Sequence, residues 1–311
     1  MVEVLEKELD LDNEYFIYDG NEEIRLDKYL ATVLEEASRS FVQNLIKNNH
    51  VLVNDKNEKA SFILKKGDRI YVEIPDAVSD EIIPEDIPLD IYYEDSDVIV
   101  VNKPSGMVVH PAVGNTHGTL VNALKFHCKD LSSINGVIRA GIVHRIDKDT
   151  SGLLVSCKND FSHQSLSKQF FDKTVKRKYY AIVIGEINHN LGKIDAPIGR
   201  DKLNRQKMAV VDGGKKAITH FKVLERFKGY TLIELNLETG RTHQIRVHMK
   251  YIGYPLLGDP LYGPKKVEGD YGQYLHAKTL GFIHPRTNEL LEFDSPLPDY
   301  FLQKLDELRR L

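Results

Sequence analysis

An acidic segment interrupted by prolines limits this chain to folds made of two separate units. Residues 76–97 contain nine aspartates and glutamates and no lysine or arginine, and Pro75, Pro84 and Pro88 lie beside or within the segment. Proline interrupts helices, and repulsion between like charges keeps a chain extended. The sequence therefore predicts a linker at residues 76–88.

The length of the chain agrees with this division, because 311 residues have room for about two domains. We expect an acidic tail at residues 1–23, a small unit at residues 24–75, the linker, and a larger unit at residues 89–311. No repeat of 20 to 50 residues is present that would indicate a solenoid or a propeller.

The net charge of −4 hides an asymmetry between these segments. Residues 98–311 contain 32 lysines and arginines against 21 acidic residues, and residues 24–75 contain nine against seven. Both predicted folded units are thus basic, as a surface that binds a polyanion requires. A merely solvated basic surface is the alternative that charge alone leaves open.

The composition is that of an ordinary soluble globular protein, with 41% hydrophobic and 28% charged residues. No apolar stretch approaches the ~20 residues that cross a bilayer, and the first residues are acidic where a signal peptide is basic. Cys128 and Cys157 are too few for a disulfide framework and suit a reducing compartment. We expect a cytoplasmic monomer with no membrane partner.

The smaller unit has the pattern of two helices followed by strands. Apolar residues recur at helical spacing over residues 26–34, and again over residues 41–46 after Ser38, a plausible N-cap. Residues 51–53 and 70–74 are short apolar runs that predict strands. A small helical module that binds another protein would fit the same pattern.

The segments RLDKYL, SRSFVQNLIKNNHVLVN and KKGDRIYV resemble, in this order, the S4 RNA-binding domain. Asn49 and Asp55 stand where that family usually has glycine, and both residue types tolerate left-handed turn geometry. The resemblance implies that four basic residues contact RNA phosphates, a role that suits their charge. These residues are Arg25, Lys28, Arg39 and Lys47.

The larger unit mixes strands and helices without the regular alternation of a doubly wound sheet. Strands are predicted at residues 91–94, 98–102, 152–157, 179–184 and 230–237. Helices are predicted at residues 166–170, 245–252 and 301–308. We therefore expect an α+β fold in which helices flank a mixed, largely antiparallel sheet.

Motifs of common cofactor enzymes are missing from the sequence, including the dinucleotide and phosphate loops, G-x-S-x-G and H-E-x-x-H. His243 and His248 are five residues apart, which turns them roughly 140° from each other on a helix. A metal-dependent hydrolase remains an alternative without a recognised ligand spacing. Its candidate ligands are His110, His117, His144, His243 and His248.

The segment GIVHRIDKDTSGLLVSCKND has the features of a catalytic loop. Asp147 lies between Arg145 and Lys148, cations that favour an ionised carboxylate, and it precedes a Thr-Ser-Gly turn and an apolar strand. Such a turn can hold a carboxylate at the floor of a cleft. A charged loop capped by Thr150 or Ser151 is the structural alternative.

HRIDKDTSGLL resembles the H-R-L-D-x-x-T-S-G-L-L signature of the RluA/RluD-type RNA pseudouridine synthases, which isomerise uridines in ribosomal and transfer RNA. Ile146 and Lys148 replace a usual leucine and a frequent arginine, and these changes keep apolarity and charge. Four further segments match that family in its order. They are VNKPSGMVVHP (101–111), KRKYYAIVIG (176–185), LETGRTHQIRVHMKYIGYPLLGDPLYG (237–263) and LHAKTLGFIHP (275–285).

This resemblance covers nearly all of residues 89–311 and implies a role for each matching residue. Asp147 is the expected catalytic carboxylate, Arg246 pairs with it, and Tyr179 packs against the target uracil. Arg145 fills the space that the extruded nucleotide leaves. The implied reaction needs neither a cofactor nor a metal.

An S4 module in front of the catalytic unit is typical of the RluD-like members, so we expect large-subunit ribosomal RNA as the partner. Transfer RNA is the alternative substrate. A catalytically silent RNA-binding protein is the alternative function, and the intact Asp147, Tyr179 and Arg246 speak against it.

Overall fold

The computed structural model describes residues 13–20, 23–34, 39–73, 82–111, 116–132, 140–201, 207–264, 269 and 271–311. Contacts group the chain into two compact units, Met1–Glu81 and Ile82–Leu311. The division falls inside the segment predicted as a linker, and Ile82 is buried in the core of the second unit. None of the described helices is long and apolar enough to span a bilayer.

The first unit contains two helices and six short strands among its described residues. They are β1 (Asn13–Ile17), β2 (Ile24–Arg25), α1 (Leu26–Val33), α2 (Arg39–Lys47), β3 (Val51–Val53), β4 (Lys56–Asn57), β5 (Ile63–Leu64) and β6 (Arg69–Glu73). One sheet has the order β1-β6-β3-β4, and β2 pairs with β5. Both predicted helices and both predicted strands are confirmed, while Ser38 and Ile74 lie outside the described residues.

The core of the first unit accounts for its apolar pattern. Leu26 of α1, Leu45 of α2 and Val72 of β6 are buried in one cluster. Asn49 and Asp55 have φ values of 65° and 67°. Both residues thus adopt the left-handed geometry expected where the family usually has glycine, so these departures do not disturb the fold.

The second unit contains eleven strands and four helices among its described residues. The elements up to the middle of the unit are β7 (Ile91–Glu94), β8 (Val98–Lys103), α3 (Leu120–His127), β9 (Ser151–Cys157), α4 (Asp160–Phe171), β10 (Lys176–Ile184) and β11 (Leu191–Asp195). They are followed by β12 (Ile198–Arg200), β13 (Met208–Val210), β14 (Ile218–Phe227), β15 (Tyr230–Leu237), α5 (Gln244–Tyr251), β16 (Leu275–Ile283), β17 (Leu290–Asp294) and α6 (Asp299–Arg309).

Nine of these strands form one sheet in the order β11-β14-β15-β10-β16-β9-β8-β7, with β17 also paired to β16. Every pairing in this sheet is antiparallel except that of β9 with β16. The predicted α+β class with a mixed, largely antiparallel sheet is confirmed. The sequence patterns did not predict α3, β11 to β14, β16 or β17.

One residue of β16 sets the register between the strands that carry the site. Ala277 pairs with Tyr179 of β10 on one side and with Gly152 of β9 on the other. Gly152 has φ +116°, and a Cβ there would lie 2.3 Å from the carbonyl oxygen of Ala277. Only glycine fits so close an approach, which brings the start of β9 level with the middle of β10.

Candidate active site

A cavity of about 620 Å³ opens in the second unit where three of the sequence motifs meet. Its walls are the loop before β9, the strand β10, and the turn from β15 into α5. Arg145, Asp147, Tyr179 and Arg246 all line it, as does His243. The structure therefore brings together the four residues of this unit that were predicted from the resemblance.

The loop that carries Asp147 is fixed through its main chain. Lys103, buried at the end of β8, donates from Nζ to three carbonyl oxygens, one of which belongs to Lys148 at 2.8 Å. The N–H of Thr150 donates to the carbonyl oxygen of Asp147 at 3.1 Å. Burial lowers the pKa of Lys103 to about 7. The side chain of Lys103 thus joins the segment 101–111 to the loop that carries Asp147.

Arg246, in the first turn of α5, joins two carboxylates. Its Nη1 donates to Oδ2 of Asp147 at 3.0 Å. Its Nε and Nη2 donate to Oδ2 and Oδ1 of Asp259 at 2.7 and 2.8 Å. Asp259 also accepts the main-chain N–H groups of Leu261 and Tyr262. The guanidinium is therefore clamped on one side and presents a charge-assisted hydrogen bond to Asp147 on the other.

Burial and pairing act in opposite directions on this group. Burial opposes ionisation of Asp259, but hydrogen bonds from Arg246 and the main chain outweigh it and lower the pKa of Asp259. Burial also opposes the charge of Arg246, whereas its bonds to Asp259 and Asp147 raise its pKa. Arg246 therefore remains a cation beside Asp147. Its other partner, Asp259, remains an anion that hydrogen bonds hold in place.

Tyr179 supplies the apolar wall of the cavity. Its side chain is buried, and burial raises the pKa of its hydroxyl, which stays protonated at neutral pH. Tyr180, one residue further along β10, has its ring 5.9 Å from Nζ of Lys278 and does not line the cavity. The two neighbouring tyrosines thus face opposite sides of the sheet, as successive residues of a strand do.

His243 lies near the carboxylate oxygen of Asp147 that Arg246 does not hold. It precedes α5 in a left-handed conformation with φ 55° and ψ 20°. Its Nε2 is 3.9 Å from Oδ1 of Asp147, and its Nδ1 is 2.9 Å from the hydroxyl of Tyr262. Burial lowers the pKa of His243, so the ring is neutral at pH 7.

The histidines considered as metal ligands do not form one site in the described part of the chain. Nε2 of His144 accepts a main-chain N–H, and both ring nitrogens of His248 have partners within the fold. The cluster of possible ligands found among the described residues lies elsewhere and consists of Asp95, Asp97 and His284. Arg286 already donates to both carboxylate oxygens of Asp97. This geometry does not support the hydrolase alternative.

In the first unit the predicted RNA contacts differ in their surroundings. Lys28 and Lys47 are exposed. Arg25 is tied to the buried Asp27, to which its Nε and Nη2 donate at 2.9 and 3.1 Å. Arg39 begins α2, but its side chain lies outside the described part of the structure. Arg25 therefore contributes to the fold of this unit whatever else it contacts.

Comparison with known proteins matches both units. The RNA pseudouridylate synthase family matches residues 97–251, and the S4 domain matches residues 24–70. "Uncharacterized RNA pseudouridine synthase YlyB" of Bacillus subtilis (strain 168) is 57% identical over 286 residues, which cover 92% of this chain and 94% of that protein. The chain belongs to the RNA pseudouridine synthase family.

Other members of the family agree. Ribosomal large subunit pseudouridine synthase D of Zymomonas mobilis is 49% identical, with 88% of this chain and 90% of that protein covered. The structure of Human RNA Pseudouridylate Synthase Domain Containing 1 superposes with a TM-score of 0.56 at 25% identity, over 72% of this chain and 96% of that chain. The predictions of an RNA pseudouridine synthase, an S4 domain and an RNA substrate are confirmed.

Three residues in or beside this cavity make contacts that were not predicted from the sequence: Lys103, His243 and Asp259. All three lie inside the matched segments, in VNKPSG, GRTHQIR and LLGDPLYG. The contact of Lys103 with Lys148, for example, joins positions 45 residues apart in the chain. Motif membership was the available signal, and it does not indicate which partner a side chain meets.

Proposed function

We propose that this synthase isomerises a uridine of large-subunit ribosomal RNA to pseudouridine, with Asp147 as the catalytic carboxylate. The observation that carries the proposal is the contact of Asp147 with the clamped Arg246 inside a cavity walled by Tyr179. The substrate class is supported by relatives from Zymomonas mobilis and Pseudomonas aeruginosa, both named ribosomal large subunit pseudouridine synthase D.

The proposed reaction breaks the bond from uracil N1 to C1′ and rejoins the base to the same C1′ through C5. Asp147 acts either as the nucleophile at C1′, displaced when C5 attacks, or as the base that removes the C2′ proton and returns it when the uracil rejoins. Arg246 aims the carboxylate through its hydrogen bond. The C5 proton leaves to solvent, N1 gains one, and the reaction is an isomerisation with no net oxidation or reduction. No cofactor or metal enters this scheme.

Tyr179 and Arg145 also line the cavity, and they contact the uracil and the RNA strand. Tyr179 holds the detached uracil by stacking against it, so the base stays close to C1′ while it turns. Because the target carbon is screened inside folded RNA, the nucleotide has to be extruded. Arg145, which is exposed at the rim of the cavity, occupies the space that it leaves.

The first unit supplies affinity through phosphate contacts that do not read sequence. Lys28 and Lys47 are exposed and available for this role, and Arg25 keeps one nitrogen free of its pair with Asp27. Arg39 is assigned with them from the S4 resemblance. Folded RNA is recognised by its shape, so the target uridine depends on how these contacts match the RNA.

The experiment maps pseudouridines in total RNA from cells that contain or lack the protein. We expect the loss of one or a few sites in large-subunit ribosomal RNA, restored by the wild type and not by Asp147→Asn. Loss confined to transfer RNA would move the substrate to the alternative class. If no site were lost, the protein would be a silent RNA-binding member of its family. Turnover on ribosomal RNA transcripts that fold without magnesium should survive EDTA.

A further inference from the structure

The hydrogen bonds around His243 determine which ring nitrogen carries the proton. The N–H of Met208 donates to the hydroxyl oxygen of Tyr262 at 2.8 Å. Tyr262 is only 3% exposed, so its hydroxyl proton has to be donated within the fold. Nδ1 of His243, at 2.9 Å, is the acceptor that it reaches. The neutral ring therefore carries its proton on Nε2.

His243 lines the cavity, and its Nε2 lies near the carboxylate of Asp147. Nε2 lies 3.9 Å from Oδ1 of Asp147, which is too far for a hydrogen bond. The other oxygen of Asp147 is the one that Arg246 holds. Among the described residues, no side chain or carbonyl accepts the Nε2–H of His243. A donor and a carboxylate oxygen thus lie side by side, open to a ligand.

The backbone at His243 is held in a conformation that favours this placement. A φ of 55° is uncommon for a residue with a Cβ, and such strain persists at sites where the surroundings impose it. In this conformation the ring lies between the hydroxyl of Tyr262 and the carboxylate of Asp147. The ring is neutral, so it adds a donor beside Arg246 without adding a second positive charge.

We propose that His243 donates its Nε2–H to the 2′-hydroxyl of the target nucleotide and thereby selects ribose over deoxyribose. This inference rests on the proposed function, because it requires Asp147 to work at C1′ or C2′. The 2′-oxygen is bonded to C2′ and is two bonds from C1′. A donor placed 3.9 Å from the carboxylate reaches that oxygen in either case. The 2′-hydroxyl is the group that distinguishes RNA from DNA at a single nucleotide.

The test combines two variants with two substrates. His243→Asn withdraws the donor and keeps a residue type that tolerates left-handed backbone, while His243→Gln carries an amide N–H at about the reach of Nε2. The substrates are synthetic RNA stem–loops of one sequence around the mapped uridine, with ribose or 2′-deoxyribose at that nucleotide alone. Single-turnover pseudouridine formation gives kcat/KM for each combination.

We expect His243→Asn to lower kcat/KM about tenfold on the all-ribose RNA and hardly at all on the 2′-deoxy RNA. The intrinsic effect of the 2′-hydroxyl on the chemistry is common to all variants and cancels in this comparison. His243→Gln should restore most of the discrimination. Equal losses on both RNAs, or a glutamine variant as impaired as the asparagine variant, would overturn the proposal.

A measurement on the wild-type protein tests the tautomer without any substitution. The ¹⁵N NMR signals of His243 should show a protonated Nε2 and an unprotonated Nδ1, and the reverse pattern would contradict the assignment. If the wild type formed no pseudouridine even on the all-ribose RNA, the proposed function would fail first and this inference with it. Activity on that RNA with no coupling to the 2′-hydroxyl would remove the inference alone.

Discussion

Arg246 of the second unit and two lysines of the first unit have opposite surroundings. Arg246 in the second unit has a side chain only 7% exposed and is bonded to two carboxylates, whereas Lys28 and Lys47 in the first unit are exposed. A buried charge needs specific partners, because leaving it unpaired is costly. An exposed lysine is a point charge on a flexible stem that reaches a phosphate from many positions. We therefore expect geometry to control the proposed function of the second unit, and the number of charges to control that of the first.

The largest expected effect concerns Asp147 and tests whether the geometry of the site in the second unit controls activity. Asp147→Asn keeps the size of the side chain and removes its basicity and its nucleophilic oxygen. Pseudouridine formation should fall by roughly 10³-fold or more, because both proposed roles of the carboxylate are lost. Release of tritium from C5 of labelled uridine in RNA reports turnover.

RNA binding provides the control for Asp147→Asn. The phosphate contacts proposed for the first unit are unchanged, so affinity for the same RNA should stay within about twofold of the wild type. Activity within tenfold of the wild type would remove Asp147 from the catalytic role.

A second, smaller effect is expected for Asp259, which acts on Asp147 through Arg246. Asp259→Asn leaves Arg246 without the carboxylate that clamps its Nε and Nη2. The guanidinium can then turn away from its present direction, and a misplacement of about 1 Å costs as much as 10²-fold in rate. We expect kcat to fall by roughly that factor, with a lower Tm, because a buried pair is broken.

Asp306→Asn is the matched control for Asp259→Asn. Asp306 also pairs with an arginine, Arg309, but both side chains are largely exposed. Exposed pairs contribute about 0 to 1 kcal/mol, so kcat and Tm should hardly change. Similar effects of the two substitutions would mean that the clamp on Arg246 has no special importance.

A third prediction uses pH to separate buried from exposed cations. The pKa of Lys103 is about 7 in the folded chain, against 10.5 for its ordinary value. Between these pH values the unfolded chain holds a proton that the folded chain has released, so the contribution of Lys103 to stability rises with pH. The slope is up to about 1.4 kcal/mol per pH unit. Lys103→Met should lack this rise in the free energy of unfolding.

Urea unfolding of the wild type and of Lys103→Met at several pH values from 7 to 10 measures this slope. The difference between the two free energies should change with pH in that interval and level off below it. Parallel curves would show that Lys103 keeps its proton throughout, held by its three carbonyl partners.

Local patterns allowed much of the fold to be predicted. The helical spacing over residues 26–34 predicted α1, and the apolar run at residues 179–184 predicted β10. Both signals lie within a few residues and depend on the period of one element. The parallel pairing of β9 with β16 could not be found in this way, because the register of Gly152 against Ala277 depends on a long-range approach.

The site itself was predictable only in part, for the same reason. Resemblance pointed to Asp147 and Arg246, and the structure has them in contact. It did not indicate that Asp259 clamps the arginine or that Lys103 holds the loop. These partners are set by where buried charges find acceptors in the folded chain. In the first unit the four basic residues could be named because their sequence pattern matches a domain. That pattern did not indicate that Arg25 pairs with Asp27.

The smallest expected effects concern the exposed cations of the first unit. Lys28→Ala and Lys47→Ala together remove two proposed phosphate contacts, so the slope of log affinity against log salt should decrease by about two units. The apparent KM for structured RNA should rise, while kcat at saturation stays near that of the wild type. Titration of labelled RNA at several salt concentrations measures the slope.

Lys228→Ala is the control for this double variant. Lys228 is also exposed, but it lies at the turn between β14 and β15, at the other end of that hairpin from the cavity. Its removal lowers the net charge without removing a proposed contact, so the salt slope should change by much less than one unit. If the double variant and this control had the same slope as the wild type, the first unit would bind something other than RNA phosphates. The charge of the second unit would then hold the substrate alone. Both the geometric site and the charged surface would in that case belong to the second unit.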